Sequence, residues 1–155
     1  MSIIRLAKVA GAFYENEVEK LSANLSNLWP QENIQPKKCL GAVIPHAGYI
    51  YSGPVAAQVY ANMELAETYI LLGPNHTGLG ERLALANHTY WETPLGRVKV
   101  NQDICQEILT KCPDVRKNNQ AHAEEHALEV QLPFLQYIKA NKREKIKIVP
   151  LIIHE

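Results

Sequence analysis

The sequence predicts an α/β fold with a largely parallel sheet and helices on both faces. Short apolar runs without polar alternation are typical of strands that are covered on both sides, as in parallel sheets. Three such runs occur, at Cys39–Ile44, Tyr69–Leu72 and Ile146–Ile153, and amphipathic stretches separate them. Helices that alternate with apolar strands indicate α/β layers. The 155 residues match the size of one domain, so we interpret residues 1–155 as a single domain.

The first predicted element is a helix within Glu15–Trp29. Its apolar residues recur at intervals of three and four, at Val18, Leu21, Leu25 and Leu28. This spacing places them along one face of a helix. Pro30 follows directly and ends the pattern, because proline cannot continue a helical hydrogen-bond ladder.

Residues 39–74 are interpreted as one βαβ unit. The strand Cys39–Ile44 is stopped by Pro45, and a crossover helix is expected over Pro54–Met63. Pro54 suits a first helical position, where a missing N–H costs least. The predicted apolar face of this helix carries Val55, Val59 and Met63. The strand Tyr69–Leu72 then completes the unit before Gly73 and Pro74.

The middle of the chain predicts a hairpin and a capped helix. Between Gly78 and Val100 the segments are short, and we expect Leu83–Ala86 to pair with Arg97–Val100. A helix is predicted over Gln102–Lys111, with Asn101 as a suitable N-cap.

The last part of the chain predicts a long helix and a final strand. The helix is expected to run from about Ala121 to Ala140 and to bend or restart at Pro133. A basic stretch from Lys139 to Lys147 is interpreted as a solvated loop. Ile146–Ile153 is the third buried strand.

The charge and cysteine content exclude several classes of function. Lys and Arg number 16 and so do Asp and Glu, so no cationic surface for nucleic acid or an anionic membrane is expected. No apolar run is long enough to span a membrane. The three cysteines form no CxxC pair, which favours a reducing, cytoplasmic location, and Cys105 and Cys112 are interpreted as core thiols. No nucleotide-binding glycine motif occurs.

Two loops after predicted strands carry a histidine beside proline and glycine. They read Ile44-Pro45-His46-Ala47-Gly48 and Gly73-Pro74-Asn75-His76-Thr77-Gly78. The carboxyl ends of parallel strands meet at one edge of a sheet, so His46 and His76 are expected in one crevice. Imidazole is a common ligand for zinc, copper and iron. The pair is therefore a candidate for half of a metal site, and the alternative is two ordinary loop histidines.

A second pattern, His122-Ala123-Glu124-Glu125-His126, matches the zinc-peptidase motif H-x-x-E-H. On a helix His122 and His126 would share one face, and Glu125 could polarise a metal-bound water. A peptidase of this type needs a third ligand from a later element, and little chain follows. The competing interpretation is a helix start, where acidic residues are favoured by the helix dipole.

Several stretches together resemble the Memo family, whose bacterial and archaeal members are called AmmeMemoRadiSam system protein B. The resemblance spans nearly the whole chain, in order, and rests on residues 10–14, 45–53, 72–76, 93–96 and 125–133. It implies the α/β sandwich that the family shares with class III extradiol dioxygenases, which bind non-haem Fe(II) through two histidines and a carboxylate.

The resemblance also implies a set of site residues. His46 and His76 match the two metal-site histidines, and Phe13 and Tyr51 match aromatic positions at the mouth of the pocket. His126 is expected as a nearby polar group or proton carrier in catalysis. The implied cofactor is a divalent metal, iron in the first place, with zinc or copper as alternatives.

The chain departs from the family pattern in two respects. A Ser-Asp-x-x-His stretch and a late cysteine that completes the family's metal site have no counterpart here. We therefore expect a truncated or split member, or a partial sequence, that represents the N-terminal portion of the family fold. A site without its third ligand should hold metal weakly or not at all.

Three functions follow as hypotheses. The first is a Memo-like protein with a crevice metal site and oxygen-dependent or related redox chemistry. The second is a non-catalytic module whose crevice receives a peptide with an aromatic or phosphorylated side chain. The third, placed last, is metal-dependent peptide hydrolysis through His122, Glu125 and His126. The expected partner is a small molecule or a peptide, and the oligomeric state does not follow from the sequence.

Overall fold

The computed structural model describes residues 2–140 and 146–154. Within them the chain forms a mixed seven-stranded sheet and four α-helices, which confirms the predicted α/β class. The helices are α1 (Val18–Leu28), α2 (Tyr49–Ala61), α3 (Gln102–Lys111) and α4 (Leu132–Ala140), with a short 3₁₀ turn over Glu129–Gln131. The strands are β1 (Ile4–Arg5), β2 (Thr68–Pro74), β3 (Leu83–Leu85), β4 (Tyr90–Thr93), β5 (Gly96–Val100), β6 (Arg116–Lys117) and β7 (Lys147–Ile153).

Strand β7 is the centre of the sheet. Strand β2 pairs with it in parallel along its whole length, from Thr68 opposite Lys147 to Pro74 opposite Ile153. On its other side β7 pairs in parallel with β5 and, further along, antiparallel with β3. The remaining pairings are parallel for β1 with β4 and β3 with β6, and antiparallel for β4 with β5. Parallel pairings therefore predominate, as predicted.

Four elements lie where the sequence predicts them. Helix α1 buries Leu21 and Leu25 completely. Helix α3 begins after Asn101, whose side chain accepts a hydrogen bond from the Ile104 N–H. Strands β2 and β7 contain the predicted apolar runs. These elements combine a clear periodicity with a local stop or cap, so their local and tertiary preferences agree.

The crossover helix α2 begins five residues earlier than predicted, and Pro54 lies inside it. Its buried residues are Tyr49, Gly53, Ala56, Ala57, Tyr60 and Ala61. Val55 is exposed, so the predicted apolar face was wrong. A Cβ atom at Gly53 would lie 2.8 Å from Leu28 Cδ1 of α1, so the glycine allows these two helices to pack closely.

The predicted strand Cys39–Ile44 does not form within the described part of the chain. The segment belongs to no strand ladder, Leu40 is fully exposed, and Val43 is 97% exposed. It lies across a groove from β2, whose Ile70 and Leu72 are also exposed. An apolar run favours burial, but burial requires a covering surface, and no described residue covers Val43. Residues 39–74 therefore do not form a hydrogen-bonded βαβ unit.

The hairpin in the middle of the chain was predicted with the wrong partner. The antiparallel hairpin joins β4 to β5 through Pro94 and Leu95, whereas β3 pairs with β6 and β7. Trp91 and Val98 face each other across this hairpin and are both buried. The burial of this cross-strand pair sets the register.

The predicted helix over Ala121–Ala140 was wrong in its first half. Residues 121–128 form turns, and α4 begins only at Leu132, next to Pro133.

Of the two predicted core thiols, Cys105 is buried and Cys112 is exposed, because Cys112 is the C-cap of α3. Residues 141–145 of the predicted basic loop lie outside the described residues.

The longest helix among the described residues is α2. Neither α2 nor any other helix that the structure describes has the length and apolar character that crossing a bilayer requires.

Candidate metal centre

Three loops bring histidines to the end of β2. His46 lies between Pro45 and the start of α2, and His76 follows β2 by two residues. His126 lies in the turns that precede the 3₁₀ segment. His46 and His76 thus meet in one crevice, as the sequence predicted, and His126 joins them.

The three rings form one compact cluster. Ring centroids are 5.2 Å apart for His46 and His76, 4.5 Å for His76 and His126, and 5.9 Å for His46 and His126. One ring nitrogen from each residue lies within 4.8 Å of the other two. Two nitrogens on one tetrahedral ion are about 3.4 Å apart when each bond is about 2.1 Å. Small side-chain rotations of the three rings would therefore let one ion contact all of them.

The loop that carries His76 is shaped by its own side chains. The Asn75 carboxamide oxygen accepts hydrogen bonds from the N–H groups of Thr77 and Gly78. Gly78 and Gly80 adopt positive φ angles of 66° and 81°, which side chains other than glycine disfavour. This turn fixes the direction in which the chain leaves β2 and so places His76 over the crevice.

The buried Glu125 carboxylate accepts hydrogen bonds from the main chain of two cluster residues, His76 and His126. Its Oε2 accepts a hydrogen bond from the His76 N–H at 2.5 Å, and its Oε1 lies 2.8 Å from His76 Nδ1. Oε1 also accepts from the N–H groups of His126 and Ala127, both at 2.9 Å. Burial alone raises the pKa of Glu125, but the hydrogen bonds from Ala127 and His76 outweigh it and lower the pKa. The carboxylate is therefore ionised at neutral pH.

The local environment favours neutral imidazoles at His46 and His126. Desolvation lowers the pKa of His46, and the proximity of His76 lowers it further. Desolvation also lowers the pKa of His126, against the opposing effect of the Glu125 charge. A neutral imidazole keeps a nitrogen lone pair available, which a metal ligand requires. At neutral pH both rings are thus in the form that binds a cation.

An ion pair in the core holds the non-helical segment that carries His126. Arg5 contacts Glu129 at 2.6 Å, and both side chains are almost fully buried. The Arg5 guanidinium also donates to the carbonyl oxygens of His122 and Glu125. Glu129 accepts a further hydrogen bond from the Tyr14 hydroxyl at 2.8 Å. These contacts satisfy carbonyl groups that a helix would otherwise satisfy, so the segment is held without a helical ladder.

The two aromatic residues expected at the pocket mouth differ in their positions. The Phe13 ring packs on His126 with a centroid distance of 4.6 Å. Tyr51, in the first turn of α2, is 82% exposed. Phe13 therefore borders the cluster directly, and Tyr51 projects from the helix that follows His46.

The H-x-x-E-H motif does not form a single site. Its residues are not helical, so His122 and His126 do not share a helix face. His122 is completely buried, and its Nε2 lies 3.0 Å from the Ala84 carbonyl oxygen. Burial lowers the pKa of His122 to about 4. Only His126 of this motif belongs to the metal-candidate cluster among the described residues, and Glu125 is occupied with His76.

The fold and the cluster define the class of protein: an α/β protein with a three-histidine candidate metal centre beside the end of its longest parallel pairing. The family model described as "Memo-like protein" matches residues 5–155. The chain belongs to this family.

Curated relatives support the assignment. A MEMO1 family protein of Aquifex aeolicus is 44% identical over 97% of this chain and 55% of its own length. Relatives from Sulfurisphaera tokodaii and Methanosarcina acetivorans are 42% and 46% identical over 97% and 86% of this chain. The chain covers 57% and 49% of those two proteins. It therefore spans about half the length of the curated relatives it matches.

Sequence reasoning missed several features of the centre. It placed His126 near the metal as a polar group or proton carrier, whereas in the structure the His126 ring is closer to His76 than the His46 ring is, at 4.5 Å against 5.2 Å. It also treated Glu125 as a candidate base and gave Arg5 no role. The signal for Arg5 was a charged residue flanked by Ile3, Ile4 and Leu6, which suggests a buried partner but does not say which one.

Proposed function

We propose that this chain binds one divalent transition metal through His46, His76 and His126, and that the crevice beside it receives a small molecule. The observation that carries the proposal is the convergence of three ring nitrogens within 4.8 Å. The resemblance described above also implies a metal-site role for His46 and His76, and the match of the Memo-like family model over residues 5–155 is consistent with it.

The residues fit such an ion chemically. Imidazole suits zinc, copper, iron and nickel, and the lowered pKa values of His46 and His126 keep their rings unprotonated at neutral pH. Iron is our first candidate, and zinc and copper are the alternatives. An ion held by three side chains keeps open positions, where it can bind and polarise an exogenous ligand. In this arrangement the protein orients the rings, and Phe13 shields one side of the cluster from water.

Metal titration tests the proposal. Purified protein freed of metal is titrated with Fe(II) without oxygen, and separately with Zn(II) and Cu(II), with calorimetry as the readout. We expect one ion per chain and a clear loss of affinity in His46→Ala, His76→Ala and His126→Ala. His154→Ala is the matched control, because this histidine lies outside the cluster, and it should bind like the wild type. Affinity unchanged in all three cluster variants would overturn the proposal.

The role of His126 is decided by the same titration. As a third ligand, His126 contributes to affinity as much as the other two histidines do. As the proton carrier that the sequence suggested, it would leave affinity intact on replacement by alanine and would affect only turnover. We favour the ligand role because one ring nitrogen of His126 lies within 4.8 Å of a ring nitrogen of each of the other two histidines.

The groove next to His46 favours a second candidate function, a peptide-binding module of the Memo type. Apolar side chains line this groove on both sides, among them Ile44 and Leu71, and the exposed Ile70 and Leu72 lie along it. A peptide with an aromatic side chain could bury that ring there. Binding of such a peptide that survives exhaustive chelation would support this function, and binding lost with the metal would contradict it.

A further inference from the structure

Glu125 contacts two histidines of the cluster, His76 and His126. Its side chain has no exposed surface, and each of its oxygens is engaged. The His76 main-chain N–H donates to Oε2, and the His126 main-chain N–H donates to Oε1. Oε1 also lies 2.8 Å from His76 Nδ1 and 3.5 Å from His126 Nδ1. One carboxylate therefore connects two loops that are 49 residues apart.

The hydrogen-bond pattern determines where the His76 proton lies. Oε1 already accepts hydrogen bonds from two main-chain N–H groups, those of His126 and Ala127. An oxygen in this environment acts as an acceptor, so the hydrogen between it and His76 belongs to Nδ1. A neutral imidazole with hydrogen on Nδ1 has its lone pair on Nε2. In its neutral form, a His76 ring with this contact offers Nε2 to a cation.

We propose that Glu125 is the positioning residue of this centre: it selects the Nδ1–H tautomer of His76 and holds the His76 and His126 loops at a fixed separation. This inference rests on the proposed metal site. A carboxylate that accepts the second N–H of a metal-binding histidine fixes the ring and strengthens its donor nitrogen. The H-x-x-E-H pattern in this chain then contributes one metal ligand, His126. Its glutamate, Glu125, supports a second ligand, His76, that lies outside the pattern.

The neighbouring Glu124 provides the matched control. It is one residue away, its side chain is 59% exposed, and it forms an ion pair with Lys8 at the surface. Glu124→Gln and Glu125→Gln make the same chemical change, the loss of one negative charge with little change in volume. A difference between the two variants therefore isolates the contacts of Glu125 from the general effect of charge.

The experiment combines tautomer and affinity measurements. In metal-free protein with ¹⁵N-labelled histidine, long-range proton–nitrogen spectra report which ring nitrogen of His76 carries hydrogen. We expect Nδ1–H in the wild type and in Glu124→Gln, and a mixed or reversed tautomer in Glu125→Gln. Zn(II) affinity should fall about 10–100-fold in Glu125→Gln and remain unchanged in Glu124→Gln. A purely structural role would lower stability without changing the tautomer.

The outcomes separate this inference from the metal site itself. Wild-type protein that binds Zn(II) through its histidines, with the same affinity and tautomer in Glu125→Gln, overturns the positioning role and leaves the site intact. Wild-type protein that binds no metal overturns the site, and the tautomer measurement still tests Glu125. If Glu125→Gln does not fold, the wild-type spectrum decides, because hydrogen on Nε2 of His76 overturns the inference.

Discussion

Arg5 and Glu129 lie 124 residues apart in the chain and form an ion pair of 2.6 Å in the core. The Arg5 guanidinium also lies over the Trp91 ring, 4.3 Å from its centroid. The pair joins the first strand to the segment just before α4. Since His126 belongs to this segment, the pair links the stability of the fold to the shape of the candidate metal centre.

Removal of either partner should strongly destabilise the protein. We expect Arg5→Met and Glu129→Gln each to lower the free energy of unfolding by about 3–5 kcal/mol, because the remaining group is left buried without its counter-charge. Urea unfolding followed by circular dichroism measures this. The double variant should lose less than the sum of the two. Losses that simply add would show that the two side chains act independently.

Stability should decrease on acidification because of His122. Burial lowers the pKa of this residue to about 4 from an ordinary value of 6.5, so the unfolded chain takes up a proton at a higher pH than the folded chain does. The free energy of unfolding is therefore highest above pH 6.5. It decreases by roughly 3 kcal/mol in total as the pH falls towards 4. Unfolding at several pH values should show a flatter dependence in His122→Gln. An equal slope in both proteins would contradict the assignment.

Substitution of two leucines tests the difference between the buried core and the open groove. Leu25 is completely buried, and Leu25→Ala should lower the free energy of unfolding by about 2–5 kcal/mol through lost packing. Leu40 is fully exposed, and Leu40→Ala should change it by less than about 0.5 kcal/mol. Thermal or urea unfolding of both variants is sufficient. A large loss in Leu40→Ala would mean that this side chain is covered in the folded protein.

Two glycines with positive φ angles test the loop that carries His76. At Gly80 a Cβ atom would lie 2.5 Å from Asn118 Oδ1 and 2.7 Å from the Ala121 nitrogen, whereas at Gly96 it would meet open space. Gly96→Ala should cost about 1–2 kcal/mol for the backbone conformation alone. Gly80→Ala adds the clash and should cost about 1–3 kcal/mol more. Equal losses would show that the loop adjusts without strain.

The sequence predicted those elements whose local pattern and tertiary environment agree. Leu21 and Leu25 mark the buried face of α1, and Asn101 marks the start of α3. It failed where a distant residue decides the structure: the turns at residues 121–128 depend on Arg5, which no local pattern connects to them. For the site, the proline–histidine loops predicted His46 and His76 together. The approach of His126 and the contact of Glu125 with His76 depend on those same turns, so they could not be predicted.

The three histidines are not equally prepared for a cation. His76 and His126 are held through their main chains by Glu125, whereas His46 follows the unpaired segment Cys39–Ile44, and its loop is tied to Gln131 through the Pro45 carbonyl at 3.1 Å. Two of the three rings are thus held at a fixed spacing by one buried carboxylate, and the third is placed from a separate loop. We therefore expect the metal affinity of the proposed centre to depend on how firmly the His46 loop is held, so a partner that covers residues 39–44 should raise this affinity without contacting the ion.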